Sequence, residues 1–373
     1  MGLTPPDHAV KPLPHSAAPL RASLLVYFGL FGLALNGAMV LANSKYWNVD
    51  FNSLYVAGKL VGSGHLYDSA RVEALQLQLG AKALPFMRLP ILALAVKPLS
   101  ALPYTTARIL WLGAGLAALA GFVFLWPLSR PAWTAVAVCW SAPAAMCLAL
   151  GQDSMWFLLF AALGLRLLLQ GRDLCAGLAL SLCINKPHLA LLLPVLLVAR
   201  GRWRALFGGL TGGIASLGLS FAAEGAGWPK RLAALWPAET PESMPNLRGL
   251  LTVFHAGLPV EIALALPVVV AVWFLSRRLP LPTAVALALA GGLLISHHAY
   301  FYDGVVLLPA LLFPFETPIP EWLRKWALVL LTPIPYLFLL LPFDWPAQLA
   351  ISGYGLALLA MMACSPRVGA AAS

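Results

Sequence analysis

ASLLVYFGLFGLALNGAMVLA (residues 22–42) is followed, after a short polar stretch, by YWNVDF (residues 46–51). The first string is an unbroken apolar run, and a membrane-spanning helix needs about 20 such residues. The second places a carboxylate, Asp50, just beyond the point where that helix emerges. The 46 residues from Asn43 to Arg88 carry Asp50, Asn52, Tyr55, Lys59, His65, Tyr67, Asp68 and Arg71. A mere connection between two spans needs far fewer polar groups, so this loop is where chemistry is expected.

The rest of the chain agrees with a membrane setting. It has 373 residues, 61% of them hydrophobic and 10% charged, with a mean hydropathy of +0.84. A water-soluble domain of that size needs more polar surface than this composition supplies. The opening stretch Met1 to Ser16 holds four prolines and no apolar core of a signal peptide, so residues 1–21 read as a cytosolic tail. The formal charge of +10 comes from short basic clusters between apolar runs, without the aromatic-interleaved basic surface of a nucleic-acid binder. No nucleic-acid partner is expected. Cys139, Cys147, Cys175, Cys183 and Cys364 form no CxxC pair and read as small core residues.

Further apolar runs fall at 104–126, 131–150, 154–170, 174–198, 205–223, 259–276, 281–296, 303–316, 326–342 and 346–364. Lys11, Arg21, Arg130, Arg172, Arg200, Arg202, Arg204, Arg277, Arg278, Arg324, Lys325 and Arg367 collect on one side. Asp50, Asp68, Glu73, Asp153, Glu224, Glu239, Glu242, Asp303 and Asp344 collect on the other. Cytoplasmic loops are enriched in Lys and Arg, so both termini are expected in the cytoplasm and the acidic loops outside. A single crossing by 174–198 would split Arg172 from the Arg200–Arg204 cluster. Folding back at Asn185-Lys186-Pro187 keeps them together, with limbs of roughly 18 Å at about 1.5 Å per residue. That places Lys186 at membrane depth, at the floor of a cavity open to the outside.

Asp50 is a candidate general base, able to take the proton of a sugar hydroxyl as it attacks an anomeric carbon without a metal. Its structural alternative is to be a solvated loop acid or to cap the helix that starts near Phe51. Lys186 is costly at bilayer depth and points to a phosphate partner; the alternatives are a snorkelling lysine or an ion pair with Asp153. His297 and His298, near Tyr302 and Asp303, suit an anion better than a metal, for which further ligands are lacking; Asp303 either orients a histidine or caps the next helix. Arg248 can grip a phosphate with its fork of donors or simply decorate an outer loop. Gln152 can hydrogen-bond a sugar or begin the next helix, for which Asp153 is a good cap. No metal site is expected.

In order along the chain, these segments resemble glycosyltransferase family 87, the polyprenol-phosphate-dependent mannosyltransferases of the GT-C class. The resemblance runs from Asp50-Phe-Asn-Ser-Leu-Tyr55-Val-Ala-Gly58 and Gly64-His-Leu-Tyr67-Asp68 through Pro98-Leu-Ser-Ala-Leu-Pro103, Gly151-Gln152, Lys186-Pro187 and Met244-Pro-Asn246 to Ser296-His-His298-Ala-Tyr-Phe-Tyr302-Asp303 and Pro309. One departure is Arg88-Leu89-Pro90, where the family often has a Tyr-Pro-Pro-like stretch. The resemblance implies an all-α, polytopic GT-C bundle with about ten to twelve membrane segments over residues 22–364, a catalytic outer loop at 43–88 and a cytosolic tail at 365–373. It implies an inverting hexosyltransferase of the cell membrane that works on the non-cytoplasmic face without a cofactor. Its donor is a polyprenyl-phosphate sugar, mannose by expectation, and its acceptor a lipid or glycan hydroxyl. Asp50 is then the base, Lys186, Arg248 and His298 the phosphate ligands, and Tyr55, Gln152, Asn246, His297, Tyr302 and Asp303 substrate contacts. The competing expectation is a flippase or transporter of a lipid-linked sugar, which needs the cations but no base; a noncatalytic scaffold is the third.

Overall fold

The computed structural model describes residues 22–42, 48–80, 84–128, 131–235, 241, 244–317, 319–338 and 345–364. Among these, every regular element is helical. Both expected tails (1–21 and 365–373) and Tyr46-Trp47 lie outside the described residues. The N-terminal helices are α1 (Ala22–Ala42), α2 (Val49–Leu60), α3 (Ser69–Gln78), α4 (Pro90–Ser100), α5 (Tyr104–Leu125), α6 (Pro131–Trp140), α7 (Ala142–Leu150), α8 (Ser154–Leu169), α9 (Asp173–Ser181) and α10 (Leu192–Ala199). The chain continues through α11 (Trp203–Glu224), α12 (Trp228–Ala233), α13 (Leu247–Val253), α14 (Leu258–Arg278), α15 (Leu281–Ile295), α16 (Leu308–Leu312), α17 (Glu321–Leu331), α18 (Ile334–Leu337) and α19 (Trp345–Cys364).

Five helices, α1, α5, α11, α14 and α19, are long and apolar enough to cross a membrane, and the bent pair α6–α7 makes a sixth if counted as one span. The other apolar segments, α4, α8, α9 with its 3-10 extension, α15 and 301–315, have 10–17 residues each. Apolar runs were thus translated into shorter pieces than the sequence suggested. The run 131–150 bends by 64° between α6 and α7. There the Ser141 hydroxyl accepts from Ala144 N at 3.3 Å and Pro143, in the first turn of α7, has no N–H with which to continue the α6 ladder. The run 303–316 is divided among 3-10 turns and α16, with Pro309 and Pro314 removing donors inside it.

The reversal at 186–191 is present. α9 enters, a 3-10 turn (Leu182–Asn185) follows, and α10 returns. Arg202 pairs with Asp173 at 3.1 Å, which sets the start of α11 beside the start of α9 and keeps Arg172 with the 200–204 cluster. The two helices approach through glycines: a Cβ on Gly177 would overlap the carbonyl of Ala205, and one on Gly208 that of Leu174. Backbone contact this close is how apolar helices associate in lipid, where small residues permit tight packing.

α15 is the central post. Thirteen of its residues, Leu281 and Thr283 to Leu294, are buried, as expected of a helix that is apolar all round. By contrast α1 presents Leu24, Val26, Tyr27, Phe28, Leu30 and Phe31 outward, and holds to α6 by Asn36 Nδ2 donating to Cys139 O at 2.9 Å. α4, an apolar helix not anticipated from the sequence, packs on α2, where Gly58 leaves room for Ser100.

Gly177→Val is expected to lower the thermal midpoint in detergent, because overpacking of this kind costs about 1–3 kcal/mol or more. Gly213→Ala, which meets nothing within 4 Å, should leave the midpoint unchanged. Equal behaviour of the two variants in a thermal unfolding scan would contradict the α9–α11 contact.

Candidate active site

Asp50 stands in the first turn of α2, whose cap residue Asn48 adopts a left-handed conformation, φ 56°, which Asn tolerates better than most. Asn48 N donates to Ala149 O at 2.8 Å, so the start of α2 is tied to the end of α7. α7 ends at Gly151, φ +73°, where a Cβ would lie 2.5 Å from that of Phe51. Trp111 Nε1 donates to Gly151 O at 2.9 Å. Together these contacts bring Asp50 and Gln152, about a hundred residues apart in sequence, side by side.

Arg88 arrives from the non-helical segment before α4. Gln76 fixes that segment by donating to Leu84 O at 2.8 Å and accepting from Leu84 N at 2.6 Å. Tyr67 donates its hydroxyl to Arg88 O at 2.7 Å. The guanidinium then meets three groups: Nη2 donates to Gln152 Oε1 at 2.9 Å and lies 3.4 Å from Asp50 Oδ1, and Nε is 3.4 Å from Asp153 Oδ1. From the hairpin break, Lys186 Nζ reaches Asp303 Oδ1 at 2.8 Å, Gln152 Oε1 at 3.1 Å and Asp153 Oδ1 at 3.6 Å. Ser154 donates to Asp303 Oδ1 at 2.7 Å, and Asn185 Nδ2 donates to Asp153 O at 3.0 Å.

Three carboxylates therefore share two cations, and with all groups ionised the cluster carries one net negative charge. Asp153 and Asp303 are wholly enclosed and Lys186 nearly so, whereas the Asp50 and Arg88 side chains each keep 13% exposure. Asp50 and Arg88 are thus the accessible end. Burial holds the Asp50 carboxyl above its ordinary value, opposed by the charges of Arg88 and Lys186 and by the Gln152 amide. A carboxylate so placed is a better proton acceptor than one in water, yet stays ionisable.

Several expectations change in detail. For Lys186 the ion-pair alternative is the one found, with Asp303 added as the tighter partner: the two carboxylates neutralise it within the protein. Asp50 does not act as the cap of α2. Asp153 does occupy the cap position of α8 but makes no side-chain cap bond, because its carboxylate faces the two cations. Of the two expectations for Asp303, the cap is the one found: Oδ2 accepts from Tyr300 N at 3.0 Å in a capping box that opens the 3-10 segment Phe301–Leu307, while Oδ1 accepts from Lys186. The Tyr302 ring lies 5.0 Å from Lys186 Nζ, within cation–π range.

The remaining candidates sit around this centre. His298 meets His188 edge-on at 5.4 Å and Tyr300 at 5.1 Å between ring centroids. His297 Nδ1 is 3.0 Å from Glu261 Oε1, and its carbonyl accepts from Arg248 Nη1 at 2.6 Å. Both are rim groups. Asn246 uses both ends of its amide within the protein, donating to Ser296 O at 2.7 Å and accepting from Gly249 N at 2.9 Å, so it shapes the 296–298 segment. Tyr55 is buried and donates to Leu102 O at 2.7 Å, wedged with Phe51 and Tyr104 behind Asp50. Among the described residues no group of three His, Cys, Asp or Glu side chains is placed to hold a metal ion. Arg88 and His188 were missed as site residues. For Arg88 the available signal was a lone cation directly before a proline-opened apolar helix.

Lys186→Met leaves Asp303 and Asp153 buried with one cation fewer, and should destabilise the protein by about 3–5 kcal/mol. Adding Asp303→Asn should restore part of that loss, read as the thermal midpoint of purified protein. A double variant no more stable than the single one would contradict the pairing.

Compared with known proteins, the family model described as "Glycosyltransferase family 87" matches residues 89–300. That span contains Gln152, Asp153, Lys186, Arg248 and His298; Asp50, Arg88, Tyr302 and Asp303 lie outside it. No curated protein and no solved structure matches the chain.

Proposed function

The chain belongs to glycosyltransferase family 87, and on that premise we propose that it moves a hexose, mannose by expectation, from a polyprenyl phosphate to the hydroxyl of a lipid or glycan acceptor, with Asp50 as general base. That it is a multi-pass membrane enzyme transferring sugar from a donor to an acceptor follows from the family and the apolar helices. The observation that supports the finer reading is the position of Asp50. It is the accessible carboxylate of an otherwise enclosed cluster, built against Gln152 and Lys186 of the matched region.

In this scheme the acceptor oxygen attacks the anomeric carbon as its proton passes to Asp50. The bond from that carbon to the phosphate oxygen breaks, and the polyprenyl phosphate leaves with the electron pair. One displacement inverts the centre, so a β-linked donor gives an α-linked product. The departing phosphate develops negative charge, which preorganised donors stabilise; Arg248 and His298 on the rim are suited to that task. Lys186, already neutralised by Asp303, contributes by fixing the Gln152 amide. The sugar–phosphate bond supplies the driving force, so the scheme uses no cofactor.

The scheme puts the site on the non-cytoplasmic face of the cell membrane and both termini inside. Its support is the gathering of Arg172, Arg202 and Arg204 at one end of the α9–α11 group, with Arg277 and Arg278 ending α14 near Leu279, to which Arg200 donates. Positive charge of this kind marks cytoplasmic ends.

Two experiments test this reading. Asp50→Asn should fold, insert and bind donor but transfer sugar at least ~10²-fold more slowly, the scale of a lost general base; assay in nanodiscs with polyprenyl-phosphate mannose decides it. Near-parental turnover ends the base assignment, and absence of transfer by the parent across donors and acceptors favours the transporter. In a cysteine-free background, Ser63→Cys should react with an impermeant thiol reagent from outside and Gly171→Cys only from inside. The reverse pattern inverts the topology.

A further inference from the structure

Glu224, the last residue of α11, has no part in the site described above, yet its side chain is wholly enclosed. A carboxylate at the C-terminal end of a helix opposes the helix dipole, and burying it is costly unless it is paired and hydrogen-bonded. Its contacts supply the reason for its place. Oε1 accepts from Gly62 N at 2.8 Å, and Oε2 is 3.3 Å from Arg231 Nη2, which also donates to Glu224 O at 2.9 Å. Gly62 turns with φ +87°, a conformation glycine adopts at little cost. The loop that Glu224 holds leads to Tyr67. Burial, and after it the Glu224 carboxylate, keep the Tyr67 phenol above its ordinary value, with Arg231 opposing, so Tyr67 retains its proton and acts as a donor.

That donor grips Arg88, through the 2.7 Å bond to its carbonyl. The last turn of α11 adds a second tie close by, Ser220 Oγ accepting from Ile91 N at 3.1 Å. The guanidinium needs such support. Its contacts to Asp50 and Asp153 are both 3.4 Å, longer than the charge-assisted bonds that fix a side chain; the bond to Gln152, at 2.9 Å, is the short one. Where Arg88 stands is therefore decided largely by the backbone that carries it. A retreat would leave three carboxylates to Lys186, so that backbone has to be held.

We propose that Tyr67 and Glu224 are positioning residues: Glu224 clamps the 61–67 loop to the end of α11, and Tyr67, carried by that loop, holds Arg88 at its distance from Asp50. Neither touches a reacting atom. The assignment deepens the transferase reading given above and rests on it for the role of Asp50 as base. α11 thereby serves both cations of the cluster. Its glycine contacts with α9 hold the helix that leads to Lys186, and its last turn holds the chain on either side of Arg88.

Tyr67→Phe removes the hydroxyl and keeps the ring against Phe86. The full chain in nanodiscs is treated with dicyclohexylcarbodiimide, which reacts with protonated carboxyls, and labelling of Asp50 is followed against pH by peptide mass. Without its tie Arg88 relaxes outward and favours ionised Asp50 less. The labelling midpoint should then move to higher pH by about half a unit to one unit, the change when a 3.4 Å ion pair opens to about 5 Å. Tyr354→Phe, which removes another buried hydroxyl, bonded to Ala310 O, is the control: it should lower the thermal midpoint about as much and leave the labelling midpoint in place. Glu224→Ala should shift the labelling midpoint in the parent and add nothing in Tyr67→Phe, because both act through one tie; additive shifts overturn the part given to Glu224. A Tyr67→Phe midpoint equal to the parent's, or a Tyr354→Phe midpoint displaced as far, overturns the positioning. The acid limb of kcat/KM for sugar transfer should move with the labelling midpoint. A displaced midpoint with no transfer by the parent keeps the clamp and removes the transferase; transfer with an undisplaced midpoint does the opposite.

Discussion

Lys186 donates to Asp303 at 2.8 Å inside a helical bundle whose surroundings are almost wholly hydrocarbon. An isolated ammonium at that depth costs on the order of 2.5–3.5 kcal/mol or more, and an isolated carboxylate is no better placed. Each is tolerated because the other is there, and the requirement propagates. Asp153 has to stand within reach of Lys186, Arg88 within reach of Asp153, and Asp50 within reach of Arg88. The hairpin between α9 and α10 exists to bring a cation to the middle of the bundle. The left-handed residue at Asn48 and the glycine at 151 exist, in the same sense, to bring α2 down onto it.

Much of this was legible from the sequence, and for identifiable reasons. The reversal at Lys186-Pro187 followed from the Arg172 and Arg200–Arg204 clusters, which a single crossing would have separated, and the Arg202–Asp173 bridge confirms it. α1 was legible because nothing interrupts its apolar run. The ion pair of Lys186 with Asp153, weighed beside an external anion, is present at 3.6 Å. What escaped was the tighter partner, Asp303, because charge complementarity across 117 positions leaves no local trace. Arg88 was read only as a departure from a family pattern, since its role depends on Gln152, 64 residues away. Helix lengths were also misjudged. Hydropathy counts apolar residues, and 131–150 and 303–316 form bent or broken pieces that no apolar count distinguishes from straight spans.

Gln152 shows how little of a site can be inferred from a residue's type alone. Its amide is a hinge between two cations, and its chemistry is set by which atom those cations claim. Likewise Tyr55 and Asn246, polar groups in a functional neighbourhood, use their hydrogen bonds on Leu102 and on Ser296 and Gly249. They act on the site by supporting the backbone that carries Asp50 and His297. The family match stops short of Asp50 on one side and of Asp303 on the other, so the cluster joins matched and unmatched parts of the chain into one electrostatic unit.

The distance along the chain between Lys186 and its partner also bears on biogenesis. Synthesis proceeds from the N-terminus, so when Lys186 is added to the chain Asp153 has already been made, while Asp303 is 117 residues further on. During that interval the lysine has only the looser carboxylate, 3.6 Å away in the finished protein. The hairpin is thereby a late-settling element. Its docking waits on the segment around residues 301–307, and a nascent chain halted before that point would hold an incompletely neutralised charge at the membrane, the state in which quality-control proteases find their substrates.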